Sequence, residues 1–189
     1  MDESDVTRDR LILLLREHSL IFGEVTLSGG QTASYYVDVR RTVMRPEGMS
    51  TVGRLLAEHA AKLGASAVGG PVMAAIPLSC AAISVPEGRE LKGFFVRKER
   101  KQHGLQRWVE GAVEVGQKVL VVEDTVTTGG STVSAIERIR DEGFEIAGVM
   151  SVVDRLAGGA EKISQAAGAP FETLTTIDDV YPDRPDRPS

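Results

Sequence analysis

Apolar positions recur along this chain in two alternating periods. Leu11, Leu14, Leu15 and His18 fall at helical spacing and predict a helix over 5–18. Two strand-like runs, near 24–27 and 35–39, flank the turn Ser28-Gly29-Gly30-Gln31 and predict a hairpin. Pro46 suits the first turn of a helix running to Leu63, and Gly64 is a natural stop. The pattern then repeats: a strand over 66–70, an apolar helix over 78–85 and strands over 91–96 and 119–122. A helix follows from Thr132 with Val133, Ile136 and Ile139 on one face, then a strand over 145–153, a helix over 156–167 and a last strand over 171–177. Strands alternating with helices predict an α/β fold, a doubly wound, mostly parallel sheet flanked by helices, with right-handed crossovers. A small N-terminal hood from 1–45 precedes it, and 1–180 form a single domain. The tail, Tyr181-Pro-Asp-Arg-Pro-Asp-Arg-Pro-Ser189, has too little apolar surface for a core and is expected to be disordered.

The stretch richest in chemistry is Lys118-Val-Leu-Val-Val-Glu-Asp-Thr-Val-Thr-Thr-Gly-Gly-Ser-Thr132. A buried parallel strand ends in two adjacent carboxylates, Glu123 and Asp124. A loop of small and hydroxylated residues, Thr125 to Ser131, leads into a helix. Ligands of open α/β sheets sit beyond the carboxyl ends of strands. A Gly-Gly turn feeding a helix N-terminus presents backbone N–H groups and a positive field, which suits a phosphate. Thr127, Thr128 and Ser131 add hydroxyl donors, and the two acids can accept from ribose hydroxyls or help place Mg²⁺. No Lys follows Gly130, so this is not a Walker loop, and the Gly-x-Gly-x-x-Gly of dinucleotide folds is absent.

A second segment, Arg97-Lys-Glu-Arg-Lys-Gln-His-Gly104, gathers Arg97, Lys98, Arg100, Lys101 and His103 in a chain of net charge −5. It lacks apolar periodicity and reads as a mobile loop. It is either a solvated charged loop or a lid over a polyanion, with His103 able to donate a hydrogen bond or proton near neutral pH. At the end of the 145–153 strand, Asp154-Arg155 reads on its own as a local ion pair.

The overall acidity argues against a nucleic-acid partner. Cys80 is the one cysteine, which excludes an intrachain disulfide and a cysteine-based zinc site. Its apolar surroundings predict a buried structural thiol. The acidic start lacks a signal-peptide pattern, and no run approaches the ~20 apolar residues of a membrane span. A cytoplasmic protein is expected, with no membrane partner.

Together these segments resemble a known family. The Val119–Ser131 stretch is similar to the phosphoribosyl pyrophosphate (PRPP) signature of type I phosphoribosyltransferases. Arg97-Lys98-x-x-Lys101-x-His103-Gly104 resembles the catalytic loop of orotate phosphoribosyltransferases, and the Thr26-Leu-Ser-Gly-Gly-Gln-Thr-Ala-Ser-Tyr-Tyr36 hairpin resembles their hood. Gln31 stands where many relatives carry a basic residue, Ser28 where some carry Lys, and Ala74 and Ala75 where several carry Lys or Gly. The resemblance implies transfer of phosphoribose from PRPP to orotate with Mg²⁺, the metal held mainly through PRPP and by Glu123 or Asp124 only via water. It implies that Arg97, Lys98, Lys101, His103, Glu123, Asp124, Thr125, Val126, Thr127, Thr128, Gly129, Gly130 and Ser131 contact PRPP. Lys101, His103 and Asp124 would be catalytic, and Thr127 and Arg155 would contact orotate. Ser28 to Gln31 and Tyr36 would lie near the base. It further implies a homodimer in which the 97–110 loop, through Lys98 and Lys101, completes the neighbouring site. A purine or uracil phosphoribosyltransferase and a PRPP-sensing regulator without catalysis are the alternatives. The basic loop and Arg155 argue against the first, and the lack of a helix-turn-helix extension argues against the second.

Overall fold

The computed structural model of the chain describes residues 3–26, 32–100 and 107–187. In chain order its elements are α1 (Glu3–His18), β1 (Leu20–Thr26), β2 (Thr32–Val37), α2 (Arg40–Val43), α3 (Pro46–Lys62), β3 (Ala67–Pro71) and α4 (Ala75–Ser84). After a 3-10 turn at Pro86–Gly88 come β4 (Lys92–Val96), β5 (Val109–Gly111), β6 (Lys118–Val126), α5 (Gly130–Asp141), β7 (Glu145–Asp154), α6 (Gly159–Ala167), β8 (Phe171–Thr176) and α7 (Ile177–Val180). The main sheet has the order β5-β4-β3-β6-β7-β8. Its pairs are parallel except β4 with β5, which is antiparallel.

The apolar run of β6 explains its central place. Val119 and Val121 face one core with Ile136 and Ile139 of α5 and Ile163 of α6. Leu120 and Val122 face the opposite core with Leu55 and Leu56 of α3 and Leu78 of α4. Both sheet faces are therefore covered, and a strand buried on both faces reads as a continuous apolar run. Each such side chain contributes about 1.5–3 kcal/mol on burial, so β6 has no stable place at a solvated edge. Strand order reverses between β3 and β6, and the crevice beyond their carboxyl ends is the natural ligand position in such sheets. Gly70 allows the close approach there: a Cβ on it would lie 2.1 Å from the Val122 carbonyl oxygen.

The hood is the β1–β2 hairpin, with Leu20 opposite Val37 and Phe22 opposite Tyr35. Its turn, including Ser28 and Gln31, lies outside the described residues. Tyr35 and Val37 anchor it in the α1–α3 core beside Leu11 and Leu15.

Several boundaries differ from expectation for identifiable reasons. β6 continues through Glu123, Asp124 and Thr125 to Val126, because its backbone keeps pairing with β7, Glu123 opposite Ser151 and Thr125 opposite Val153. The loop after it is correspondingly short, and α5 begins at Gly130. β5 has no counterpart in the sequence reading; three residues are too few for a periodic signal. α6 starts later than expected, since Leu156 at φ 58° and Gly158 at φ 80° turn the chain out of helical geometry. Cys80 is exposed, contrary to expectation: α4 buries Ala75, Leu78, Ser79, Ala81 and Ala82, and position 80 falls on its outer face. In the segment expected to be disordered, Tyr181 and Asp186 touch the hood. Tyr181 packs edge-on to the rings of Phe22 and Tyr35, with centroids 5.4 and 5.2 Å away. Arg184 is buried and pairs with Asp178 at 2.8 Å and Asp186 at 3.1 Å. Composition is blind to this because the ordering partners lie about 150 residues upstream.

Candidate active site

The carboxyl end of β6 carries the two acids, and the fold treats them unequally. Glu123 is buried, with a relative exposure of 5%. Its Oε2 accepts from Ser131 Oγ at 3.2 Å and Thr132 Oγ1 at 3.1 Å, which ties the strand end to the first turn of α5. Burial, then the neighbouring Asp124 charge, pushes its pKa up to about 8. Asp124 is partly open, and its Oδ1 accepts from the Thr125 N–H at 2.7 Å. Burial also raises its pKa, while the Thr125 N–H and the positive charge of Arg40 act in the opposite sense. Near neutral pH the pair therefore stops short of two full negative charges.

Beyond the acids, Thr127 and Thr128 are exposed and Gly129 turns the chain at φ 77°. Gly129 packs on α6: a Cβ there would lie 2.9 Å from Ile163 Cγ1 and 3.1 Å from the Gly159 carbonyl. No side chain caps α5, so its first N–H groups remain available to an anion. Ser131 points its hydroxyl back to Glu123, and Thr125 Oγ1 is a buried hydroxyl with no partner among the described residues. What this turn offers an anion is therefore mainly backbone N–H groups around Thr127–Gly130.

On the adjoining strand, Asp154 is buried and accepts from the Leu156 N–H at 2.9 Å. The Arg155 N–H bonds the Val126 carbonyl at 2.9 Å, which sets Arg155 beside Thr127. The two residues do not form the local ion pair expected from their own sequence. Instead Arg155 NH2 donates to Tyr35 Oη at 3.0 Å, under the hood, and lies 3.7 Å from Asp186 Oδ2.

Sequence reasoning missed the hood's far end. Asp38 and Arg40 follow β2; Arg40 Nε bonds Asp38 Oδ1 at 2.8 Å, and both charges act on Asp124. It also missed Tyr35, having placed only Tyr36 near the base; Tyr36 is half-buried and acts electrostatically on Arg40. A pattern of Tyr-Tyr-x-Asp-x-Arg closing a hood strand carries the signal, but only the fold places it opposite β6.

The basic segment leaves β4 at Arg97, whose N–H bonds the Trp108 carbonyl and whose side chain pairs with Glu110 at 2.9 Å. Arg138 of α5 bonds the Arg97 carbonyl at 2.8 Å and stacks 4.1 Å from the Trp108 ring centroid. Lys98 is exposed. Lys101 and His103 lie outside the described residues. The structure thus shows a braced base for the loop, with Arg97 engaged at that base. Among the described residues no group of three or more His, Cys, Asp or Glu gathers as a metal site. The donors present at the acids, a buried carboxyl and a half-open one, suit outer contacts to a hydrated dication carried by a polyphosphate. None of the described helices is long and apolar enough to cross a membrane.

Comparison with known proteins agrees with this geometry. The Phosphoribosyl transferase domain family model matches residues 49–171. An orotate phosphoribosyltransferase from Streptomyces avermitilis is 46% identical over 169 residues, covering 88% of this chain and 93% of the relative. A crystal structure of Mycobacterium tuberculosis orotate phosphoribosyltransferase in complex with Fe(III) dicitrate superposes with a TM-score of 0.83 at 42% identity, covering 93% of this chain and 99% of that one. The same enzyme in complex with PRPP gives 0.79 at 38% identity, covering 92% and 98%.

Proposed function

The chain belongs to the orotate phosphoribosyltransferases, enzymes that transfer the 5-phosphoribosyl group from PRPP to orotate and form orotidine 5′-monophosphate and pyrophosphate, and from that premise we propose how its own residues divide the work. The observation that carries the proposal is one juxtaposition. Glu123 and Asp124 lie in the last four residues of β6, the uncapped α5 N-terminus follows a short turn after Val126, and Arg155 emerges beside Thr127 from the paired strand β7.

The Thr125–Ser131 segment, Val126 included, holds the 5′-phosphate through backbone N–H groups and the Thr127 and Thr128 hydroxyls. Asp124, with Glu123 behind it, holds the ribose hydroxyls. As the glycosidic bond loosens, positive charge grows at the anomeric carbon. The negative charge carried by this pair stabilises that positive charge, more strongly in the transition state than in the ground state. Arg155 meets the orotate carboxylate and Thr127 the ring; a planar guanidinium distinguishes orotate from uracil by a paired contact. Mg²⁺, bound through PRPP, supplies charge neutralisation of the pyrophosphate. Lys98, Lys101 and His103 close over that leaving group and exclude water, and Arg97 braces the loop base. The Arg97–Glu110 and Trp108–Arg138 contacts support a loop fixed at its root.

We place this work in a cytoplasmic homodimer, with the 97–110 loop of one subunit completing its neighbour's site. Exposed Met73 just before α4, and exposed Cys80 and Ile83 three positions apart on it, support association through apolar surface there. The direct test is orotate consumption followed by loss of its absorbance with PRPP and Mg²⁺. Turnover is expected with orotate and not with uracil or adenine. Equal use of uracil would overturn the role of Arg155, and no turnover with any base would favour a sensor.

A further inference from the structure

Arg155 is held by a chain of contacts that reaches the C-terminal segment. Its NH2 donates to Tyr35 Oη at 3.0 Å, and its guanidinium carbon lies 5.1 Å from the Tyr35 ring centroid. The Tyr35 hydroxyl donates in turn to Asp186, 2.9 Å from Oδ1 and 3.1 Å from Oδ2. Asp186 is fixed by Arg184, which is itself buried and anchored on Asp178. Tyr35 is 2% exposed, with Tyr181 edge-on to its ring, so it has little freedom to swing.

We propose that Tyr35 is a positioning residue for the reaction, its hydroxyl polarised by Asp186 so that it holds Arg155 in the orientation that grips the substrate carboxylate. The proposal rests on Arg155 being the partner of that carboxylate. The direction of the hydrogen bonds carries it. A phenol has one proton, and a carboxylate can only accept. With that proton committed to Asp186, the oxygen lone pairs face Arg155, which can only donate. Remove Asp186 and the hydroxyl proton loses its acceptor, so the lone pairs are no longer polarised and fixed toward Arg155. Burial and the bond to Asp186 both keep the phenol above its usual range, so it remains a donor throughout the physiological span. Arg155 spends NH2 on this contact. Among the described residues its guanidinium makes no second hydrogen bond, which leaves other N–H groups for a carboxylate in the same plane. Asp186 stands 3.7 Å from Arg155 NH2, beyond hydrogen-bond reach, and is half exposed, so it acts through Tyr35 and not as a substitute for substrate.

Steady-state kinetics of Tyr35→Phe, Asp186→Ala, Arg155→Ala and the double variant Tyr35→Phe/Arg155→Ala test this. Phe keeps the buried ring, and Asp186 is exposed enough that its loss leaves the core intact. Tyr35→Phe is expected to raise the KM for orotate about tenfold, as loss of one hydrogen bond to a charged group does, with kcat and the KM for PRPP within about twofold. Asp186→Ala is expected to raise the orotate KM in the same selective way, and Tyr35→Phe is expected to add nothing on the Arg155→Ala background. If Arg155→Ala raises the orotate KM and Tyr35→Phe does not, the positioning role is overturned while the carboxylate role stands. If Arg155→Ala leaves the orotate KM unchanged, the carboxylate role falls and the positioning role with it. A lowered orotate KM in Asp186→Ala would mean that the tail competes with substrate, which also overturns the proposal. Parallel changes in kcat and both KM values would reduce Tyr35 to a packing residue.

Discussion

Glu123 and Asp124 share a strand end but not an environment. Glu123 has one oxygen, Oε2, occupied by two hydroxyls of the next helix, whereas Asp124 feels the charges of the hood's Asp38 and Arg40. A pH dependence follows. Glu123 titrates at about 8 when folded against its ordinary 4.5, so the folded chain binds the extra proton and the unfolded chain does not. Stability from this group is full below about 4.5 and falls as pH rises through 8, the reverse of a salt-bridged acid. Asp124, also raised, adds in the same direction. Between pH 6 and 9 the Tm of the parent is expected to drop by about 5 °C more than that of Glu123→Gln, a scale set by ~2–4 °C per kcal/mol for a chain of this size; calorimetry across that range checks it. An equal slope in both proteins would show that Glu123 stays ionised. The order of the acids was legible in the sequence. Their inequality was not, because it depends on which hydroxyls and which hood charges the fold brings up.

At the scale of elements, the short turn between β6 and α5 is where backbone geometry and ligand chemistry coincide. Gly129→Ala places a side chain at φ 77° and into Ile163. It is expected to cost about 1–3 kcal/mol of stability and to raise the KM for PRPP more than that for orotate. Thermal melting and initial rates check both; an unchanged KM for PRPP would remove this turn from phosphate binding. The strand–loop–helix order was readable from Val119 to Ser131, since apolar run, acids and glycines each leave a local mark. The strand's true end was not, because Glu123 to Thr125 look like loop and are strand only through pairing with β7. β5 is likewise invisible alone: Val109–Gly111 becomes a strand because Val96 and Phe94 are opposite it.

For the whole molecule, the alternation of strands and helices was sufficient to predict a doubly wound sheet, and the order reversal between β3 and β6 puts the site where that fold puts ligands. The dimer proposed above gives a mixing test. A Lys101→Ala subunit and an Asp124→Asn subunit, each with turnover reduced at least about a hundredfold, are expected to recover up to about a quarter of parental activity when exchanged into hybrids. No recovery, with exchange verified by mass, would place the loop over its own subunit's site.

Tyr181 to Arg187 give that assembly a practical constraint. The segment threads from α7 under the hood and ends close to the carboxylate that steers Arg155. An affinity tag or fluorescent fusion attached after Ser189 would tether bulk a few residues from that carboxylate, and would be felt first as poorer orotate affinity. The same tag ahead of Met1 joins α1, whose Arg8 and Arg16 clamp onto α7 through Asp179, away from the Tyr35–Arg155 contact. Expression vectors that differ only in which end carries the tag would therefore yield preparations with different apparent kinetics.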